Sequence, residues 1–104
     1  MKLKRFEIIL PLNYNDGRQI EREKFVLTHQ ELVNKFHATT VDTTKASGTW
    51  IYGGVLYEDV LVRITIDSAE LEEAYPYMRA YKQTLKARFE QVDIWITAHD
   101  IEVI

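Results

Sequence analysis

The sequence predicts an α+β fold with its elements in the order β-α-β-β-α-β, and three observations predict it. Phe6, Ile8 and Leu10 alternate with other residues at the two-residue period of a strand. Two stretches, near residues 21–36 and 68–89, carry apolar residues at helical spacing between strand-like segments. Gly53-Gly54 separates two β-rich runs, and a two-residue type I′ hairpin needs positive φ at both turn positions.

The first strand reads FEIILPL. Phe6, Ile8 and Leu10 belong to one side, Glu7 and Ile9 to the other. Asn13, Tyr14, Asn15, Asp16 and Gly17 then make a polar, turn-rich loop. The first helix is expected over Glu21 to Phe36. Phe25, His29, Leu32, Val33 and Phe36 form its apolar stripe, with acidic residues in the first turn and Lys35 in the last. The second strand starts near Thr39 and reaches Tyr52. Pairing outward from the glycine turn sets Tyr52 opposite Val55, Ile51 opposite Leu56 and Trp50 opposite Tyr57. Continued unbroken, that register would bury Lys45 beside Val62, so a bulge or excursion is expected around Thr44 to Gly48.

In the third strand Val60, Val62, Ile64 and Ile66 share one side; Tyr57, Asp59, Leu61, Arg63 and Thr65 share the other. Ser68 is the expected N-cap of a second helix with Met78, Tyr81, Leu85 and Phe89 as its buried stripe. Pro76 predicts a kink or a restart inside it. The last strand is expected from Val92 to Ala98, burying Val92, Ile94 and Ile96. Its tail changes phase at Asp100, as a bulged end or a short fifth strand.

This order is the connectivity of the split-βαβ, ferredoxin-like sandwich. It implies a four-stranded antiparallel sheet in the order 4-1-3-2, with both helices on one face. The 104 residues make a single domain, 1–104, long enough to bury roughly 65% of the unfolded chain's surface. The similarity extends to the dimeric α+β barrels, and it is one of element order only. Tautomerases of related topology rely on an N-terminal proline, whereas this chain begins Met1-Lys2.

Composition narrows the function. The sequence has no cysteine, which excludes disulfides, thiolate metal sites and cysteine nucleophiles and suits a cytoplasmic location. Its N-terminal apolar run is broken by Glu7 and ended by Pro11, so it reads as a strand rather than a leader. No run of 18 apolar residues is present, and no membrane partner is expected. A net charge of -3 opposes general polyanion binding. RNA-recognition modules of the same topology carry a basic-Gly-aromatic signature on the third strand. Here that strand reads LYEDVLVRI, so nucleic acid is not an expected partner. His29, His37 and His99 fall in no metal-ligand pattern, and neither a metal nor another cofactor is expected.

The helix-free face collects Glu7, Ile9, Trp50, Tyr57, Asp59, Leu61, Arg63, Thr65, Trp95 and Thr97. That is more apolar surface than a monomer normally leaves in water. The expectation is a homodimer through this face, with Trp95, Leu61, Ile9 and Trp50 near its centre. The functional reading is a small non-catalytic assembly or ligand-binding module. The alternative is a small dimeric α+β-barrel-type enzyme acting on an anionic or aromatic compound. Arg63 would then hold the anion, Trp50 and Tyr57 would form walls, and Asp59 or His29 would act as base. A second alternative, an RNA-binding module, fails on the third strand. The structural counterpart to a site is a Trp50–Tyr57 cross-strand pair with Arg63 bridged to Glu7 or Asp59.

Overall fold

A computed structural model describes residues 1–37 and 40–104; of residues 41–50, 52, 55–60 and 71 the backbone alone is described. The elements are β1 (Lys2–Pro11), α1 (Arg22–Phe36), β2 (Thr40–Tyr52), β3 (Val55–Ser68), α2 (Leu71–Arg88) and β4 (Trp95–Glu102). Together they make an α+β fold: an antiparallel sheet with two helices, its strands ordered β2-β3-β1-β4.

One side of the sheet is the core. Phe6, Ile8 and Leu10 of β1 and Ile64 and Ile66 of β3 are buried against Leu32 of α1 and against Ala74, Met78, Tyr81 and Leu85 of α2. Both helices therefore cover the even-numbered side. Phe89 and Ile94 close the end of the same cluster. Burial of this apolar set is the main favourable term in folding. Edge-to-face contacts of Phe6 with Tyr75 and of Phe25 with Phe89 add specific geometry to it.

Several expectations are corrected. His29 is exposed, not on the buried stripe of α1. The stripe runs Phe25, Thr28, Leu32, Phe36, one residue out of phase with His29. Thr28 can be fully buried there because its hydroxyl donates to the Lys24 carbonyl at 2.7 Å, satisfying the polar atom within the helix. Ser68 ends β3 and does not cap α2; Glu70 stands at the cap position, and the Ser68 hydroxyl accepts the Glu70 N–H at 3.1 Å. Of the two outcomes expected at Pro76 the restart does not occur: Pro76 lies inside one continuous helix, Leu71–Arg88. Only five residues into α2, it forfeits a single bond near the helix start, and its position is exposed. Val92 is 40% exposed: Glu90 takes a positive φ and the turn after α2 occupies the residues assigned to the start of the last strand. The tail is neither a bulge nor a fifth strand. β4 continues through Asp100 to Glu102, and the register Lys2↔Glu102 shows why, because β1 itself begins four residues earlier than FEIILPL.

The hairpin follows the expected register, with Tyr52↔Val55, Ile51↔Leu56 and Trp50↔Tyr57 around Gly53 (φ 58) and Gly54 (φ 79). A register shift falls between Asp42 and Ala46, which removes Lys45 from the row opposite Val62. The "polar" loop after β1 holds two core residues, Tyr14 and Ile20. Tyr14 spends its hydroxyl on Glu21, accepts from Lys24, and lies under the Arg18 guanidinium at 4.6 Å. A buried phenol with both hydrogen-bonding directions satisfied costs little. Among the described residues no helix is long and apolar enough to cross a membrane.

Candidate functional site

On β1, β3 and β4 the helix-free side is built from odd-numbered residues, and the register lays them out in rows. One row runs Arg63–Ile9–Trp95 across β3, β1 and β4, with Asp42 of β2 next to Arg63. The next runs Thr65–Glu7–Thr97, and a third Asp67–Arg5–His99. With strands about 4.8 Å apart, Arg63 and Trp95 stand about 10 Å from each other at the backbone. Trp95 is 67% exposed, a large aromatic surface on an open face.

Charge on this face is organised rather than scattered. Arg5 holds Asp67 in a two-pronged bridge, Nε to Oδ1 at 2.8 Å and Nη2 to Oδ2 at 3.0 Å. The Arg5 guanidinium, helped by nearby His99, keeps the Asp67 carboxyl below the usual carboxylate range. Arg63 approaches Glu7 through Nε at 3.7 Å, beyond hydrogen-bond range, with its side chain 44% exposed. The Arg63–Glu7 contact is one of the two ion pairs expected. It is a loose ion pair, with no hydrogen bond between the two side chains.

The predicted site residues divide into three groups. Arg63, Ile9, Leu61 and Trp95 share the helix-free parity of the sheet. Trp50, Tyr57 and Asp59 have backbone register in the hairpin, but their side chains lie outside the described residues. His29 sits on the helix layer with the sheet between it and Arg63, so these two do not converge. Among the described residues no cluster of three metal-ligating side chains is found. A groove of about 450 Å³, open to solvent, lies at the far end of the sheet, lined by Lys2, Leu3, Ala69, Asp100, Ile101 and Glu102. Arg63 is not part of it.

Two polar constellations went unread in the sequence. One is the Arg5–Asp67 bridge, which needs the β1–β3 register to be seen. The other joins the helices: Arg88 donates to Thr28 at 2.8 Å and pairs with Glu31 at 2.6 Å, while the Tyr81 hydroxyl donates to Glu31 at 3.0 Å. Burial and the neighbouring Glu31 carboxylate push the Tyr81 phenol up, so it stays protonated as the donor. Every one of these groups is partnered, which makes the set a clamp between α1 and α2.

No protein-family model matches the sequence, and no curated protein is similar to it. Among solved structures, the chain is similar to a phage SAM lyase in complex with S-methyl-5'-thioadenosine. The TM-score is 0.70 at 16% sequence identity, covering 97% of this chain and 90% of that one. At this identity the likeness concerns the fold. It nevertheless corrects the expectation of a non-catalytic module, because the protein sharing the arrangement over nearly its whole length is an enzyme.

Proposed function

We propose that this chain is a small enzyme acting on S-adenosylmethionine or a close sulfonium nucleoside, built as one ferredoxin-like domain over residues 1–104. The observation that carries the reading is the 0.70 TM-score likeness, over 97% of the chain, to a lyase holding methylthioadenosine. Methylthioadenosine is what remains when the bond between the sulfonium sulfur and its amino-acid arm breaks. The electron pair of that bond stays on sulfur and cancels its positive charge, while the arm's carbon either bonds to the arm's own carboxylate oxygen, closing a lactone, or gains a double bond as a neighbouring C–H gives its proton to a base. Such a substrate combines an aromatic base with a carboxylate, the two ligand chemistries expected of the helix-free face.

In this reading Arg63 is the carboxylate anchor, because its side chain is 44% exposed and it meets Glu7 only at 3.7 Å, without a hydrogen bond. Asp59 and Tyr57 share its parity along β3, and Trp50 is the register partner of Tyr57. The aromatic pair is assigned to the adenine and Asp59 to the cationic sulfur or to a proton. Self-association through Ile9, Leu61, Trp50 and Trp95 and a cytoplasmic location belong to the same reading.

The test is direct. Purified protein incubated with S-adenosylmethionine should release methylthioadenosine, followed by liquid chromatography, and Arg63→Ala should suppress the release. Methylthioadenosine at 100 times its dissociation constant should stabilise the fold by about 2.7 kcal/mol in a thermal-shift assay. Absence of turnover, together with absence of a shift with either compound, would overturn the proposal.

A further inference from the structure

The two arginine–carboxylate pairs on the helix-free side are built differently. Arg5 and Asp67 are direct register partners, closed on each other by bonds of 2.8 and 3.0 Å. Arg63 and Glu7 lie on a diagonal: Arg63 stands opposite Ile9, and Glu7 opposite Thr65. They meet at 3.7 Å without a hydrogen bond, their side chains 44% and 27% exposed. A pair so loose and so open to water adds little to stability. One such contact uses only part of the donors of a guanidinium and of the lone pairs of a carboxylate, so both groups can serve a ligand without parting.

The charges around the pair select that ligand. A simple anion drawn to Arg63 would approach the Glu7 carboxylate, and Asp42 holds the neighbouring register position in β2. A simple cation drawn to Glu7 would approach Arg63, and Arg5 on the same strand is near enough to feel the charge of Glu7. A group carrying both signs escapes both penalties. The ammonium and carboxylate of an α-amino acid hang from one carbon, so they can lie head to tail along the pair, carboxylate on the guanidinium and ammonium on Glu7. Thr65 and Thr97 flank Glu7 in its row, and their hydroxyls can accept the remaining protons of the ammonium. The Arg5 charge is already answered by Asp67, so it does not compete for the carboxylate.

We infer that Arg63 and Glu7 together clamp the zwitterionic head of an α-amino acid, which makes Glu7 a specificity-determining residue of this face. The inference rests on the proposed use of the face for a sulfonium nucleoside, whose amino-acid arm supplies such a head.

Two unreactive probes read the clamp. S-adenosylhomocysteine keeps the amino-acid head and lacks the sulfonium charge; methylthioadenosine lacks the head. In titration calorimetry Glu7→Gln should weaken S-adenosylhomocysteine about tenfold or more, the worth of one hydrogen bond to a charged group. It should bind methylthioadenosine as the unmodified chain does. Glu7→Asp, which keeps the charge but withdraws it by one methylene, should recover part of the loss. Should Glu7→Gln unfold, the unmodified chain reads the same contact from the ligand's side: S-adenosylhomocysteine stripped of its amino group should lose the same factor. A Glu7→Gln variant that binds S-adenosylhomocysteine at full strength overturns the clamp, even if its KM for S-adenosylmethionine rises, because Glu7 would then face the sulfonium. Equal weakening of methylthioadenosine overturns it too, and so does an unmodified chain that binds no S-adenosylhomocysteine. Methylthioadenosine release is scored separately. A clamp without release would sink only the catalytic proposal, and release with a silent Glu7→Gln would sink only the clamp.

Discussion

The two sides of the sheet obey different rules. On the even-numbered side Phe6, Ile8 and Leu10 are within 1% of complete burial, and the helices fill the space above them. On the odd-numbered side the same strand presents Arg5, Glu7 and Ile9 in rows with Asp67, Arg63 and Trp95. One side is sealed core; the other presents charged and aromatic side chains to solvent. The difference teaches that changes on the two sides should separate in experiment, with large losses of stability on the first and losses of binding on the second.

The largest effect should come from Leu85→Ala. Leu85 is fully buried between the sheet and α2, so its removal leaves a cavity and costs about 3 kcal/mol in urea unfolding. Methylthioadenosine affinity, measured on the folded fraction, should not change. A loss below about 1 kcal/mol would mean that the core is not the close-packed layer described.

Arg88→Met ranks next. The side chain of Arg88 is 12% exposed, and its loss leaves the Glu31 carboxylate without its cation and removes a donor from Thr28, while the Thr28 bond to the Lys24 carbonyl and the Tyr81 bond to Glu31 remain. Glu31 is 38% exposed and can recover water, so the cost is about 2 kcal/mol rather than that of a sealed pair. If the double variant Arg88→Met with Glu31→Gln regains most of that loss, the cost is the orphaned charge rather than missing packing.

Arg5→Ala should have a smaller effect with a pH signature. Asp67 is held below the ordinary carboxylate range by Arg5 in the folded chain. A depressed carboxyl contributes stability that is present above its unfolded pKa of about 3.9 and is lost as pH falls through the folded value. The gap between wild type and Arg5→Ala should therefore be widest near neutral pH and close below about pH 4. Unfolding curves at about pH 7 and about pH 3 measure it; a gap that widens in acid would contradict the bridge.

The two sides also differed in how well they could be read from sequence. Period alone located Phe6, Ile8, Leu10, Ile64 and Ile66, because a strand with one buried side must alternate. The Gly53-Gly54 turn set the hairpin register for a similarly local reason. Reading failed where a polar atom is satisfied by something distant or unusual. Thr28 displaced His29 on the buried stripe because a hydroxyl can bond back within its helix. Tyr14 entered the core from a turn-rich loop because Glu21 and Lys24 meet its hydroxyl. Arg5 and Asp67 are 62 residues apart in the chain, and only the β1–β3 register brings them together. Of the candidate site, Arg63 and Trp95 were legible as helix-free by parity, while the base role given to His29 assumed a burial that the helix phase denies it.

The smallest effect on stability should carry the largest effect on function. Arg63 is 44% exposed and meets Glu7 at 3.7 Å, so Arg63→Ala should change unfolding free energy by less than about 0.5 kcal/mol. If its Nη fork anchors a substrate carboxylate, the same change should abolish S-adenosylmethionine turnover. It should leave the methylthioadenosine shift intact, because methylthioadenosine has lost the amino-acid arm and with it the carboxylate. Arg63→Lys should restore part of the turnover, since a lysine supplies charge without the two-pronged geometry. Equal weakening of both ligands would place Arg63 at the nucleoside end instead. An unaffected turnover would move the anion site away from the Arg63–Ile9–Trp95 row altogether.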